Sequence, residues 1–276
     1  MVVCTIGDLT LDVIVRLGGS LAAGGDTEAE IHVGAGGQAA NVAAWAAALG
    51  ASARCVCARG ADEAGRLALA GLKAVGVEVL GPVGNRNGVI CSLVSPDGER
   101  SMASDRGAAT ALRPDDIDPT WLEGCDHLFV SGYALLREPA RSAALRAVEL
   151  ARAQVAAVSV DLATWSAIGD AGPAAFRATV AKVAPDAVFA NEAEEEIFGG
   201  PLPGAHWILK RGARGCSFDG DERPARRVEH VVDTTGAGDA LAAGWIVGGP
   251  DLALEAAARC VQQIGSMPES SRLGDS

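Results

Sequence analysis

The octapeptide Asp233-Thr234-Thr235-Gly236-Ala237-Gly238-Asp239-Ala240 stands directly before an apolar, alanine-rich stretch late in the chain. Small residues running into helix formers predict a tight turn that opens a helix over Ala237–Val247. The backbone N–H groups of Gly236, Ala237 and Gly238 then point outward at the helix N-terminus, where they form an anion-binding nest. The helix dipole adds roughly half a positive charge there. Asp239 falls in the first turn of this helix, where a plain phosphate cradle gains nothing from a carboxylate. A general base that takes the proton of an attacking hydroxyl accounts for it. An acidic residue that simply favours a helix start is the plain alternative.

Outward from this turn, short β-branched runs alternate with alanine-rich stretches. Strands are expected at Val2–Ile6, Arg54–Ala58, His127–Ser131, Ala156–Asp161, Ala187–Ala190 and His206–Lys210. Helices are expected at Ala39–Leu49, Asp62–Val75, Pro139–Ala153, Pro173–Val183, Glu192–Phe198, Ala237–Val247 and Leu252–Ile264. This order predicts an α/β fold with a mostly parallel central sheet covered by helices on both faces. Two segments, about 12–33 and 77–103, are strand-like without helices, and Pro96-Asp97-Gly98 reads as a hairpin turn. They are expected to pair into a small sheet, a lid over a site at the carboxyl ends of the main strands. The whole chain, 1–276, reads as one domain ending in a flexible tail at 267–276.

Composition bounds the function. Of 276 residues, 49% are hydrophobic and 21% charged, and 35 acidic against 23 basic side chains give a net charge of −12. This excludes broad contact with nucleic acid or anionic membrane. The uncharged run from Ile31 to Ala53 is rich in glycine and alanine and carries Gln38 and Asn41, which suits a loop and a buried helix better than a membrane span. Seven scattered cysteines and four histidines lack the clustered spacing of a metal site. Free thiols and the absence of a visible export signal point to the cytoplasm.

A second glycine cluster, Gly34-Ala35-Gly36-Gly37-Gln38-Ala39-Ala40-Asn41, leads into the first helix. The amides of Gln38 and Asn41 can donate and accept hydrogen bonds, as recognition of sugar hydroxyls requires; a capped loop is the alternative. No G-x-x-x-x-G-K-[ST] run occurs, and Gly236-x-Gly238-x-x-Leu241 lacks the third glycine of a dinucleotide fingerprint. A Walker NTPase and a Rossmann dehydrogenase both lose support.

With both glycine clusters in view, the chain resembles the ribokinase (PfkB) family of carbohydrate kinases from Gly7 to about Gly265. The Asp233–Ala240 segment is similar to that family's C-terminal signature and Gly36–Gly50 to its N-terminal one. The resemblance implies a ribokinase-like three-layer α/β/α domain with a β-sheet lid. It also implies Asp239 as catalytic base, the Gly236-Ala237-Gly238 backbone as anion hole, and acceptor contacts by Asp12, Gly36, Gly37 and Asn41, beside the Gln38 amide already read from the residues. Arg106, in Asp105-Arg106-Gly107-Ala108, matches a position that touches acidic or phosphorylated substrates in some members.

On the nucleotide side, Asn191-Glu192-Ala193-Glu194 resembles the family's N-x-x-E element. Asn191 is then expected near the ATP phosphates and Glu194 in the water shell of Mg²⁺. The Leu209–Gly215 stretch resembles the strand and turn that border ATP, with Lys210, Gly212 and Gly215 as contacts. Asp233 and Thr235, with Gly265 and Ser266, resemble a monovalent-cation site for K⁺. The family's lid sheets pair between subunits, which implies a homodimer.

Gln38 stands where many ribokinases carry a Lys, and Ser131-Gly132-Tyr133 where they often carry an acidic residue, so the resemblance does not single out ribose. The expected function is therefore an ATP- and Mg²⁺-dependent kinase of a small sugar or sugar acid. A nucleoside kinase of the same family needs an aromatic wall, for which Trp165 is a candidate, and a catalytically silent sugar-binding protein is the other-class alternative.

Overall fold

The computed structural model describes residues 1–269. In chain order the first half contains β1 (Val2–Ile6), β2 (Thr10–Leu17), β3 (Ala29–Gly36), α1 (Gln38–Ala48), β4 (Ser52–Val56), β5 (Arg59–Gly60), α2 (Glu63–Ala74), β6 (Glu78–Leu80), β7 (Val83–Gly84), β8 (Gly88–Val94) and β9 (Arg100–Asp105). Next come β10 (His127–Ser131), α3 (Gly132–Leu136), α4 (Ala140–Ala153), β11 (Ala157–Asp161), α5 (Trp165–Ala171) and α6 (Pro173–Val183). The last third holds β12 (Ala187–Asn191), α7 (Glu192–Phe198), β13 (His206–Lys210), β14 (Cys216–Phe218), β15 (Asp221–Arg223) and α8 (Ala237–Cys260).

Nine strands form the central sheet in the order β15-β14-β13-β12-β11-β10-β1-β4-β6. Pairing is parallel from β13 to β6, and the edge hairpin β14–β15 is antiparallel. The inner strands are apolar on both faces, as helices above and below require. Along β10, Phe129 packs with Trp45, Phe189 and the alanines of α1 and α8, whereas Leu128 and Val130 pack with Val158, Val160 and Phe176 on the opposite face. Buried alanines such as Ala43, Ala44, Ala242 and Ala243 keep α1 and α8 close.

The expected strands of the central sheet and most helices appear within a few residues of the sequence reading. Gly248 and Gly249 break helical geometry ahead of Pro250, where the sequence reading separates two helices; at the carboxyl end the chain differs, since α8 ends at Cys260, short of Ile264. The second sheet has the order β3-β2-β8-β9. Its β8–β9 turn is closed by a hydrogen bond from the Gly98 N–H to the Ser95 carbonyl at 2.8 Å. Of the stretch read as a tail, Pro268 is buried and Met267 packs on the core, while 270–276 lie outside the described residues. No helix among the described residues is long and apolar enough to cross a membrane.

Candidate active site

The parallel strands β1, β10, β11, β12 and β13 end at or just before Asp8, Ser131, Asp161, Asn191 and Lys210, so polar residues gather along one edge of the sheet. The α8 N-terminus meets them there. Gly236 caps it with φ 77, and a Cβ at this position would lie 2.5 Å from that of Ser266, so a side chain is excluded twice over. The N–H groups of Gly238 and Asp239 find no backbone acceptor among the described residues, the condition for an anion hole.

Asp239 Oδ2 accepts a hydrogen bond from Asn41 Nδ2 at 2.7 Å, and Asn41 Oδ1 accepts one from Ser266 Oγ at 2.9 Å. Burial, then the charge of Asp161, push the Asp239 pKa up to about 8, against the pull of the Asn41 bond and the Lys210 ammonium. A carboxyl poised near neutral pH suits proton abstraction.

Asp239 opens on a cavity of about 170 Å³ bounded by Asp8, Asp12, Gln38, Asn41, Arg100, Arg106 and Tyr133, among others. Asp12 Oδ1 accepts from Thr10 Oγ1 at 2.7 Å, and chiefly through burial its pKa rises to about 6. Gly36 leaves room for the Asp12 carboxylate, which a side chain there would strike. Gly37, at φ 102, brings the start of α1 against the Asp8 carbonyl. Gln38 Oε1 is held by Ser131 Oγ at 2.7 Å and the Gly132 N–H at 3.1 Å, while its residue lines the cavity. Arg106 lies over the Tyr133 ring at 4.2 Å and only 3.7 Å from Asp8 Oδ2, a loose ion pair that leaves donors free.

On the other side of the turn, Lys210 Nζ donates to Asp161 Oδ2 at 2.6 Å. Burial opposes the charge of Lys210, but Asp161 first, then Glu194 and Asp239, outweigh it and raise its pKa. Asn191 caps α7: its Oδ1 accepts from the Glu194 N–H at 2.9 Å, and Glu194 returns bonds to the Asn191 N–H and Nδ2. Glu194 is 3% exposed, and mainly burial moves its pKa to about 7. Open space lies beside Gly212, whereas a Cβ at Gly215 would strike the Arg223 carbonyl, so that glycine serves the β13–β14 turn. The arginines of this turn pair outward, Arg211 with Glu222 and Arg214 with Glu192.

An excess of buried carboxylate around one lysine is the donor chemistry that a divalent cation held through water relieves, and free N–H groups at α8 suit phosphate. The expected K⁺ position is made of oxygens that also serve the turn. Asp233 Oδ1 accepts from the Thr235 N–H and hydroxyl, Asp233 Oδ2 from the Gly265 N–H, and the Thr235 carbonyl faces the Cys260 thiol at 3.3 Å. Asp233 Oδ1 thus has two donors, while Oδ2 and the Thr235 carbonyl have one each and keep a further lone pair.

The structure thus brings Asp12, Gly37, Gln38, Asn41, Arg106, Gly236 and Asp239 to one cavity, with Gly36 behind Asp12 and Lys210, Glu194 and Asn191 beside the anion-hole turn. Sequence reasoning gave no role to Asp8, Asp161 or Arg100. Asp8 stands four residues before Asp12 in the sequence. Arg100 reaches from β9 to donate to Thr235 Oγ1 at 2.6 Å, tying the small sheet to the anion-hole turn. Trp165 is 56% exposed at the start of α5 and is not among the cavity-lining residues.

Residues 2–268 match the family described as pfkB family carbohydrate kinase. The ATP-dependent ribose-1-phosphate kinase of Halopiger xanaduensis is 30% identical over 82% of this chain and 78% of its own length. Among solved structures, the adenosine kinase from Sinorhizobium meliloti has a TM-score of 0.85 at 23% identity, covering 97% of this chain and 95% of that one. A putative ribokinase II from E. coli, in complex with ATP and Mg²⁺, has a TM-score of 0.82 at 21% identity, covering 96% and 94%. The fold is ribokinase-like.

Proposed function

The chain belongs to the pfkB family of carbohydrate kinases, ATP-dependent enzymes that phosphorylate a hydroxyl, and we propose that its acceptor is a small sugar or sugar acid. We infer that Asp239 is its general base. The observation that carries this reading is the Asp239 carboxylate, fixed by Asn41 at the mouth of a polar cavity and adjoining the unpaired N–H groups of α8.

In this reading Asp12 and the Gln38 and Asn41 amides orient the acceptor, and Asp239 accepts the proton of its attacking hydroxyl, a primary alcohol. At the Gly236-Ala237-Gly238 turn, where the Ala237 N–H donates to the Thr234 carbonyl, the free N–H groups of Gly238 and Asp239 stabilise charge on the transferred group. Arg106 faces an anionic substituent of the acceptor, in keeping with the phosphorylated sugar named for the Halopiger relative. ATP, when bound, supplies the phosphoryl group, and Mg²⁺ neutralises its charge. Lys210 and the Gly212 turn would contact the nucleotide, Asn191 would lie near its phosphates, and Glu194 would hold water of the Mg²⁺ shell. K⁺ would lie against Asp233 Oδ2 and the Thr235 carbonyl, each of which accepts one protein donor and keeps a further lone pair.

The small sheet would act as the lid that excludes water. A homodimer is supported by Ile31 and Val33 of edge strand β3, which are 60% and 56% exposed and share one sheet face with Val13 and Val15. A reducing, cytoplasmic setting suits seven free cysteines. A nucleoside acceptor finds little support, because Tyr133, the aromatic side chain of the cavity, is covered by Arg106.

A panel of sugars, sugar acids, sugar phosphates and nucleosides, assayed for ATP-dependent phosphorylation, tests the reading. Turnover with a monosaccharide or its acid or phosphate is expected. Turnover with nucleosides alone, or ligand binding without ATP consumption, would contradict it.

A further inference from the structure

Asp161 ends β11, is fully buried, and reaches Lys210 across the end of β12. Its second oxygen, Oδ1, accepts from the Ala163 N–H at 3.2 Å. Lys210 in turn lies against the anion-hole turn: a Cβ on Gly238, the residue before Asp239, would be 3.3 Å from the ammonium nitrogen. The Lys210 side chain is 15% exposed, so its ammonium finds its counter-charge among protein groups.

Three carboxylates act on it, those of Asp161, Glu194 and Asp239. Glu194 is occupied by the Asn191 N–H and amide. Asp239 accepts from Asn41 through Oδ2, which leaves Oδ1 as the oxygen able to receive a proton. If the ammonium turned to Asp239, it would cap that oxygen and neutralise the base. The pair with Asp161 at 2.6 Å draws the ammonium to a different carboxylate.

We propose that Asp161 is a positioning residue that holds the Lys210 ammonium off Asp239 and so keeps one oxygen of the general base open to the acceptor hydroxyl. The proposal rests on the reading of Asp239 as base. It assigns Asp161 no contact with substrate; the residue acts through the lysine.

The test is a mutant cycle on the full chain: wild type, Asp161→Asn, Lys210→Met, the double variant and, as a separate control, Asp239→Asn. Each is assayed with MgATP and whichever of D-fructose, ribose 1-phosphate and D-gluconate the wild type turns over fastest. Asp161→Asn is expected to lower kcat by roughly 10²-fold, the low end of what loss of a general base costs. Removing the lysine as well should abolish the dependence on Asp161, so the double variant should match Lys210→Met within about threefold, a non-additivity that a merely structural aspartate would not produce.

A double variant slower than Lys210→Met by more than that, or an Asp161→Asn enzyme within about tenfold of wild type, overturns the proposal. Should Asp161→Asn fail to fold, the double variant buries no unpaired charge and carries the comparison. The control separates the two failures. If Asp239→Asn keeps its turnover, the base reading itself falls; if it loses turnover while Asp161→Asn does not, the positioning role alone is wrong.

Discussion

The Asn41 side-chain amide donates to the Asp239 carboxylate at 2.7 Å across 198 residues of sequence, joining the glycine cluster before α1 to the one before α8. The two motifs are therefore one device. Asn41 orients the carboxylate and stabilises its charged form, and Ser266 fixes Asn41 from behind at 2.9 Å. Replacing Asn41 by Leu keeps the volume and removes the donor. The carboxyl pKa, already about 8, should rise further, so the acid limb of the kcat/KM profile moves to higher pH. A loss on the order of tenfold in kcat/KM at neutral pH is expected. A pH-rate profile of the variant checks it.

The same burial makes Asp239 costly to the fold. Its pKa is about 8 in the folded chain against 3.8 for a free side chain, so the folded state binds more protons between these values and stability falls as pH rises through that window. Asp239→Asn removes the penalty. The variant should melt above wild type, with a gap that opens above pH 4 and levels off past pH 8, at about 2–4 °C for each kcal/mol gained. Thermal unfolding at several pH values reads it directly.

Arg100 ties β9 to Thr235, whose hydroxyl donates to Asp233 Oδ1 at 2.7 Å. A small sheet held by this bridge covers the cavity, and Arg100→Met should loosen it. Expected are a fall in kcat of roughly tenfold and faster proteolysis within the β8–β9 hairpin, with little change in melting temperature. Limited proteolysis and steady-state kinetics check the two effects.

At the opposite end of the sheet, His127 is buried with Nε2 2.8 Å from Ser159 Oγ. Burial foremost lowers its pKa from 6.5 to about 4. The unfolded chain therefore binds the extra proton between these values, and stability drops as pH falls through that window. His127→Gln should make the fall in melting temperature between pH 6.5 and 4 shallower.

What could be read in the sequence was local. The turn at Gly236–Gly238 and the base at Asp239 depend on neighbours within one helical turn, and the alternating β-branched and alanine-rich runs fix the layer order. Short elements were missed: α3 and α5, of 5 and 7 residues, are too brief to show a helical period. Asp161 looked like any strand-terminal aspartate, because its meaning comes from Lys210, 49 residues away. Arg100 lay inside a stretch legible as strand, and its target Thr235 is 135 residues distant. Asn191 shows the converse, a motif residue whose described bonds are those of a helix cap.

The account stands or falls on Asp239 as the group that takes the acceptor proton. The most direct measurement is kcat of Asp239→Asn with MgATP and the best acceptor of the panel, alongside calorimetric ATP binding to show that the nucleotide site is intact. A loss of 10²–10⁴-fold in kcat, on the order of what a general base contributes, with unchanged ATP affinity, is the expected result. Turnover within about tenfold of wild type would contradict it.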